Sequence, residues 1–293
     1  MVLSTNPAAG IASLQLCFYG AGSLAEALAR GILNKELTAP SQVSMINRSN
    51  RERLAELSER YGVHTILNGA DLTNEQFLQR ADVIFLAMKP KDAAAAIESI
   101  RPLVSDNQLI ISLIAGLSIS SIERLLDRKL PIVRTMPNTS STIGLGATGI
   151  SYSDAVSPEQ RAIAEAIFQS VGINAIVDES LQDSITGVSG SGPAYVYYFM
   201  EAMLTAAEKL GLDSASAKDL VVQTVLGAAE MVRLTGETPQ DLRRKVTSPN
   251  GTTQAAIEKL TEGGFSDIVV QAMLRSSERA AEIGADFERS TSK

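Results

Sequence analysis

Gly20-Ala21-Gly22-Ser23-Leu24-Ala25 stands between an apolar run at residues 14–19 and a stretch at 23–34 where Leu24, Ala27, Leu28 and Ile32 recur at helical spacing. A G-x-G-x-x-A turn that ends a strand and opens a helix is a dinucleotide-binding fingerprint. Gly20 permits the tight turn, Gly22 lets backbone approach a pyrophosphate, and Ala25 lets helix and strand pack closely. Ser23 is expected to cap the helix, whose free N–H groups favour an anion. A plain strand-to-helix turn would need none of this.

Outward from that turn the pattern repeats. Apolar runs at 43–46, 63–67, 83–88, 109–114 and 132–135 alternate with helical patterns at 51–61, 91–100 and 118–126. A helix at 158–171 and a strand at 174–177 complete the series. Runs that are apolar throughout, rather than at every second residue, belong to a parallel sheet covered on both faces. The expected fold is a Rossmann-type, doubly wound α/β domain over 14–178. Beyond Asp178 the texture changes. No strand is legible in 180–284, and helical patterns occupy 193–210, 215–235, 239–246, 253–261 and 267–283. That stretch, 179–286, reads as an all-α domain, followed by a polar tail from Phe287 that is expected to fray.

Composition narrows the function. The net charge is −7, from 26 basic and 33 acidic residues, and no basic run is present. Nucleic acid is therefore a poor partner, because phosphate contacts need clustered Lys and Arg. An anionic membrane surface is equally unfavourable. One Cys (Cys17) and one His (His64) exclude an internal disulfide, a Cys-based zinc site and a His-rich metal cage, so no metal is expected. Cys17, inside the first apolar run, reads as a small core residue, and His64 as structural. With so few acid–base groups, a bound cofactor must carry the hard chemical step. The N-terminal residues lack the basic and apolar regions of a signal peptide. The apolar stretch 194–207 is too short to span a bilayer and contains Glu201. A cytoplasmic protein is expected.

The second strand ends in Asn47-Arg48-Ser49, where NAD-specific sites hold Asp or Glu on the ribose 2′-OH. Arg48 could instead grip a 2′-phosphate with paired hydrogen bonds, and Ser49 could add a hydroxyl, which favours NADPH over a weaker NADH. The alternative is that Arg48 is a solvated surface residue. Ala87-Met88-Lys89-Pro90 closes the fourth strand, where ligands of such sheets lie; Lys89 either borders the cofactor or is a surface residue before a turn. In the helical half, two loops with anion-site chemistry precede helices: Ser189-Gly190-Ser191-Gly192-Pro193, and Val246 to Thr253 with its hydroxyls and Gly251. Ordinary helix capping is the simpler account of both on the residues alone.

The motifs together resemble the pyrroline-5-carboxylate reductase family over nearly the whole chain. The resemblance is carried by the Gly20 turn, Phe85 to Pro90, Ala115-Gly116-Leu117-Ser118-Ile119, Arg134-Thr135-Met136-Pro137-Asn138-Thr139, Ser189 to Tyr195 and, most specifically, Pro239-Gln240-Asp241-Leu242 through Val246 to Ala255. It differs at Ser23, where many members have Asn or Gln, and at Ser140, where many have Pro after Asn138-Thr139. The resemblance implies reduction of 1-pyrroline-5-carboxylate to L-proline with NAD(P)H, and a helical domain that interlocks with a second subunit in a homodimer or a larger assembly of dimers. It implies that Ser248 and Thr253, with Asn250, Gly251 and Thr252 on the same loop, hold substrate, with Thr253 hydrogen-bonded to the ring nitrogen. It also implies cofactor contacts at Gly20, Ala21, Gly22, Ser23, Leu24, Asn47, Arg48, Ser49, Asn68, Ala87, Met88, Lys89 and Pro90.

The helices point to a partner subunit independently, because 194–210 and 215–235 carry apolar residues on more than one face and such helices need burial on most sides. Two rival functions share the sequence features. Other imine or 3-hydroxyacid reductases of similar fold usually need a dedicated acid on a central helix. A non-catalytic dinucleotide sensor has no use for a carboxylate-binding loop.

Overall fold

The structure, a computed structural model, describes residues 10–67 and 73–291. The strands are β1 (Leu16–Tyr19), β2 (Val43–Asn47), β3 (His64–Leu67), β4 (Val83–Leu86), β5 (Leu109–Ser112), β6 (Ile132–Met136), β7 (Gly146–Tyr152) and β8 (Gly172–Ile176). Between them run α1 (Ser23–Asn34), α2 (Arg51–Tyr61), α3 (Thr73–Arg80), α4 (Pro90–Ile100), α5 (Ile119–Leu126) and α6 (Pro158–Gln169). The strands form one eight-stranded sheet in the order β3-β2-β1-β4-β5-β6-β7-β8.

Successive residues of β1 point to opposite faces, and both faces are covered. Leu16 and Phe18 pack with Leu28 and Ile32 of α1, Leu57 of α2 and Phe168 of α6, while Cys17 and Tyr19 pack with Ile97 of α4 and Ile122 of α5. Phe18 stacks on Phe85 of the neighbouring strand at 4.1 Å between ring centroids. Burial on both sides is the reason the run does not alternate. Cys17 is a core residue as expected; burial pushes its thiol up to about 11 against a hydrogen bond with Ser44.

The sheet departs from the expected one in its second half. From β3 to β6 every pairing is parallel, but β7 runs antiparallel to β6, with Val133 opposite Tyr152, and β8 is parallel to β7. β7 escapes a sequence reading because Gly146-Ala147-Thr148-Gly149-Ile150-Ser151-Tyr152 holds two glycines and few strand formers. Gly149 is small for a reason: a Cβ there would stand 2.7 Å from the Ile185 side chain. The helix α3 is likewise illegible, since Thr73–Arg80 is short and mostly polar.

The described residues form two compact units, one drawn from Met1–Ser191 and Ser276–Lys293 and the other Gly192–Arg275. The first therefore reaches past Asp178, where the texture changes. A short helix α7 (Gln182–Ile185) is tied to the sheet through Arg134 of β6, which is buried and bonds Glu179 and Asp183 at 3.2 Å each. Gln182, also buried, donates to the Ser151 hydroxyl at 2.8 Å.

The second unit holds α8 (Gly192–Lys209), α9 (Ser214–Thr235), α10 (Pro239–Lys245) and α11 (Thr252–Glu262). The last helix, α12 (Phe265–Thr291), begins in it and ends in the first unit. There Gly284 lies against Gly116, where a Cβ would meet the Gly116 carbonyl oxygen at 2.8 Å, and Arg124 donates to Thr291 at 3.1 Å. The residues from Phe287 to Thr291 are thus helical and docked, where fraying was expected. Among the described residues no helix is long and apolar enough to cross a membrane.

Candidate functional site

Three strand ends meet at Gly20. Its N–H donates to Ile46 at the end of β2 at 3.0 Å, and the Ala87 N–H beyond β4 donates to Tyr19 of β1 at 3.0 Å. Gly20 turns the chain with φ +120, and a Cβ there would stand 2.3 Å from the Ala87 carbonyl oxygen. Only glycine satisfies both conditions. Gly22 follows as the N-cap of α1, with extended backbone and no side-chain cap. Ser23 is the first helical residue and not the expected cap, because the cap position belongs to Gly22. The first N–H groups of α1 are thereby left to an anion. A Cβ on Gly22 would meet nothing within 4 Å, so space for a phosphate lies above it. Ala21 and Ala25 are buried beneath, and Leu24 is half-buried. The turn fits a dinucleotide's pyrophosphate.

The flanking loops are built for the same crevice. The Asn47 side-chain carbonyl oxygen accepts from the Ser49 and Asn50 N–H groups at 3.1 Å each, an Asx turn that sets the path of the chain past β2. Asn50 then caps α2 by accepting from the Arg53 N–H at 2.9 Å. Arg48 and Ser49 are left exposed on the outside of this turn. On the β4 side Ala87 and Met88 are half-buried, Lys89 is the exposed N-cap of α4 and Pro90 its first residue. Asn68 lies outside the described residues.

Asp92, in the first turn of α4, carries no signal in the sequence; its carboxylate accepts from the Arg48 guanidinium at 3.1 Å. No local pattern joins residues so far apart. The topology could have raised it, since β2 and β4 flank β1 in a doubly wound sheet.

The motif that closes β6, Arg134 to Thr139, ties neighbouring segments together. Thr135 donates to the Ser112 carbonyl at 2.8 Å, and the Asn138 amide donates to the Ser189 carbonyl at 3.1 Å. Ser189 and Gly190 end a π-helical turn, Thr186–Gly190, that continues α7. They therefore lie in a helical turn, where the residues alone suggest an open loop. His64 begins β3 and is exposed, its ring tilted against Phe77 at 5.6 Å.

In the second unit, Ser248 to Thr253 form one turn leading into α11. Asn250 takes φ +58, its N–H donates to the Gln254 side chain at 2.8 Å, and the Gly251 N–H donates to the Ser248 carbonyl at 3.1 Å. Gly251 is the N-cap of α11 and no side chain caps it. Thr252 is exposed and Thr253, the second helical residue, is half-buried. The hydroxyls of Ser248 and Thr253 thus share a turn with uncapped N–H groups, the chemistry that takes a carboxylate.

A family model described as pyrroline-5-carboxylate reductase dimerisation matches residues 179–283, and one described as NADP oxidoreductase coenzyme F420-dependent matches 15–116. Pyrroline-5-carboxylate reductase 2 of Bacillus subtilis (strain 168) is 43% identical over 270 residues, covering 92% of this chain and 95% of that protein. The chain belongs to the pyrroline-5-carboxylate reductase family. A solved pyrroline-5-carboxylate reductase from Coxiella burnetii has a TM-score of 0.85 at 37% identity, covering 92% of this chain and 98% of that one. Another, from Plasmodium falciparum with NADP bound, has a TM-score of 0.84 at 30% identity, covering 94% and 100%. As a pyrroline-5-carboxylate reductase, the protein is an NAD(P)H-dependent oxidoreductase that makes proline from 1-pyrroline-5-carboxylate.

Proposed function

We propose that this chain prefers NADPH to NADH, and that it carries the cofactor and the imine on two uncapped helix starts, Gly22 before α1 and Gly251 before α11. That shared feature is the observation that carries the reading. Each exposes N–H groups to an anion, one suited to a pyrophosphate and one to a carboxylate. Gly20 to Leu24, Asn47 to Ser49, Asn68 and Ala87 to Pro90 are the cofactor residues, and Ser248 and Asn250 to Thr253 the substrate residues. The functional division runs 14–178 and 179–286, and the reaction belongs to the cytoplasm, where a buried, reduced Cys17 is at home.

The substrate is a cyclic imine with a carboxylate, electrophilic once its nitrogen is protonated. Bound NADPH supplies the hydride. The Gly251 turn and Ser248 take the carboxylate, and the Thr253 hydroxyl holds the ring nitrogen. Orientation and exclusion of water are what remains for the protein, and neither needs a histidine. Loss of NADPH absorbance across a panel of cyclic imines and 3-hydroxyacid-derived ketones tests this. Turnover with 1-pyrroline-5-carboxylate should exceed the others by at least about tenfold, ~1.4 kcal/mol in the barrier. A faster six-membered imine or ketone would overturn the substrate, and NADPH binding without turnover would make the chain a sensor.

The helical unit supports a homodimer or an assembly of dimers. Few of its large apolar residues are buried: Tyr198 is 76% exposed, Leu210 83% and Leu234 73%. So much uncovered apolar surface marks an interaction face, and a symmetric pair of identical faces is its commonest cover. Light scattering at micromolar concentration should give twice the chain mass of 31.1 kDa or a multiple of that. A well-folded particle of single-chain mass would refute it.

A further inference from the structure

Arg48 follows the last residue of β2, and Asp92 sits in the first turn after β4. In the sheet order β2-β1-β4 these strands flank β1, whose end is the Gly20 turn. Two strand spacings, about 9–10 Å, separate the backbones on either side. The Arg48 side chain closes that gap and bonds Asp92 at 3.1 Å, so the pair stretches across the strand end from which the dinucleotide turn springs. Arg48 is the more exposed partner, at 76% against 32% for Asp92, so the guanidinium is the more open of the two to a ligand, while Asp92 stands on the first turn of α4.

We infer that Asp92 is a specificity-determining residue for the cofactor, holding one nitrogen of the Arg48 guanidinium in the free protein and opposing the 2′-phosphate that competes for that guanidinium. The inference rests on Arg48 facing the adenosine ribose, as proposed above. A 2′-phosphate brings close to two negative charges at neutral pH and takes a guanidinium through paired hydrogen bonds. Asp92 holds Nη1 of Arg48, so a forked grip on that edge of the guanidinium displaces the carboxylate, and a grip on any other edge still lies near it. A 2′-hydroxyl meets the opposite situation: it can donate to Asp92, the contact an acidic residue makes in NAD sites. The chain has no acid at the end of β2, and α4 supplies one from the other side of β1. Arg48 and Asp92 thus sort the two cofactors against one another, and Asp92 keeps the preference for NADPH smaller than Arg48 alone would make it.

Calorimetric titration of 2′,5′-ADP and of ADP into the intact enzyme and its Asp92→Asn and Arg48→Ala variants tests this without turnover. Asp92→Asn is isosteric at a half-buried position in the first turn of α4 and keeps the fold. It should tighten 2′,5′-ADP about threefold or more at low salt, within the worth of an exposed charge pair. ADP should stay unchanged or weaken, and the gain should shrink in about 0.5 M salt, where charges beyond a few ångströms are screened. Arg48→Ala should weaken 2′,5′-ADP and leave ADP nearly untouched. If Asp92→Asn shifts neither ligand, or both alike, Asp92 has no such role, even where Arg48→Ala remains selective. If Arg48→Ala weakens both ligands equally, the assignment of Arg48 itself fails and the inference falls with it.

Discussion

Gly20→Ala should lose cofactor binding and fold stability together, whereas Gly22→Ala, two residues on, should lose cofactor binding alone. The two glycines look alike in the sequence but do different work. Gly20 holds φ +120, and a methyl group there would press to 2.3 Å on the carbonyl oxygen of Ala87. The obstacle is backbone in the neighbouring strand connection, so no side chain can swing away. A non-glycine residue held in this region costs about 1–3 kcal/mol. Displacing packed backbone adds about as much again. A loss of roughly 2–6 kcal/mol is expected from these two sources, a large part of the stability of an ordinary domain. Gly22 has ordinary φ −77, and nothing stands within 4 Å of a Cβ built on it. Alanine there costs the cap under ~1 kcal/mol. Its methyl group instead fills the space a phosphate would use. Urea midpoints and NADPH titrations of both variants check the pair. Unchanged NADPH affinity in Gly22→Ala would show that the turn does not hold the pyrophosphate.

What the chain reveals about itself before folding follows from the range of each interaction. The strands β1, β4 and β5 are legible because burial on both faces makes them apolar, but for Ser112 at the end of β5. The Gly20 turn is legible because all its parts lie within six residues. β7 is not, since its glycines answer to partners that only the fold brings near: Gly149 to Ile185, and Gly146 to Ser141, whose hydroxyl would lie 2.2 Å from a Cβ. The antiparallel turn of the sheet is hidden with it. Asp92 is invisible for the same reason, its meaning resting on an arginine 44 positions away. The stretch 179–191 reads as the start of a helical domain, but Arg134 and Ser151 hold it to the sheet by side chains that no periodicity records. In the Ser248–Thr253 turn the residue types alone are read more simply as ordinary helix capping, and the family resemblance is what points to an anion site. That no side chain caps α11, so that the N–H groups of its first turn have no side-chain acceptor at Gly251, needs the geometry.

Thr253→Val should cut turnover with 1-pyrroline-5-carboxylate at least about tenfold, ~1.4 kcal/mol in the barrier, while NADPH affinity stays nearly unchanged. The substitution keeps the branched shape and removes only the hydroxyl. Thr253 is the second residue of α11, and the N-cap position belongs to Gly251, so its hydroxyl is not the cap of this helix. A stability loss of the ~1 kcal/mol that capping threonines carry is therefore not expected. What the hydroxyl can do is bind a small ligand. The imine offers a carboxylate and one ring nitrogen; the N–H groups of the first turn of α11 suit the first, and a hydroxyl within hydrogen-bond reach suits the second. Without it the carboxylate would still be held, but the ring could pivot about it, and misorientation of the reacting atom alone can cost on the order of a hundredfold. The loss should fall on kcat more than on KM, because the carboxylate contacts that set ground-state affinity survive. Thr253→Ser, which restores the hydroxyl without the methyl group, should recover most of the rate. Full turnover in Thr253→Val would refute the role. A variant that fails to fold, with Thr253→Ser failing too, would assign the residue to packing in α11 instead.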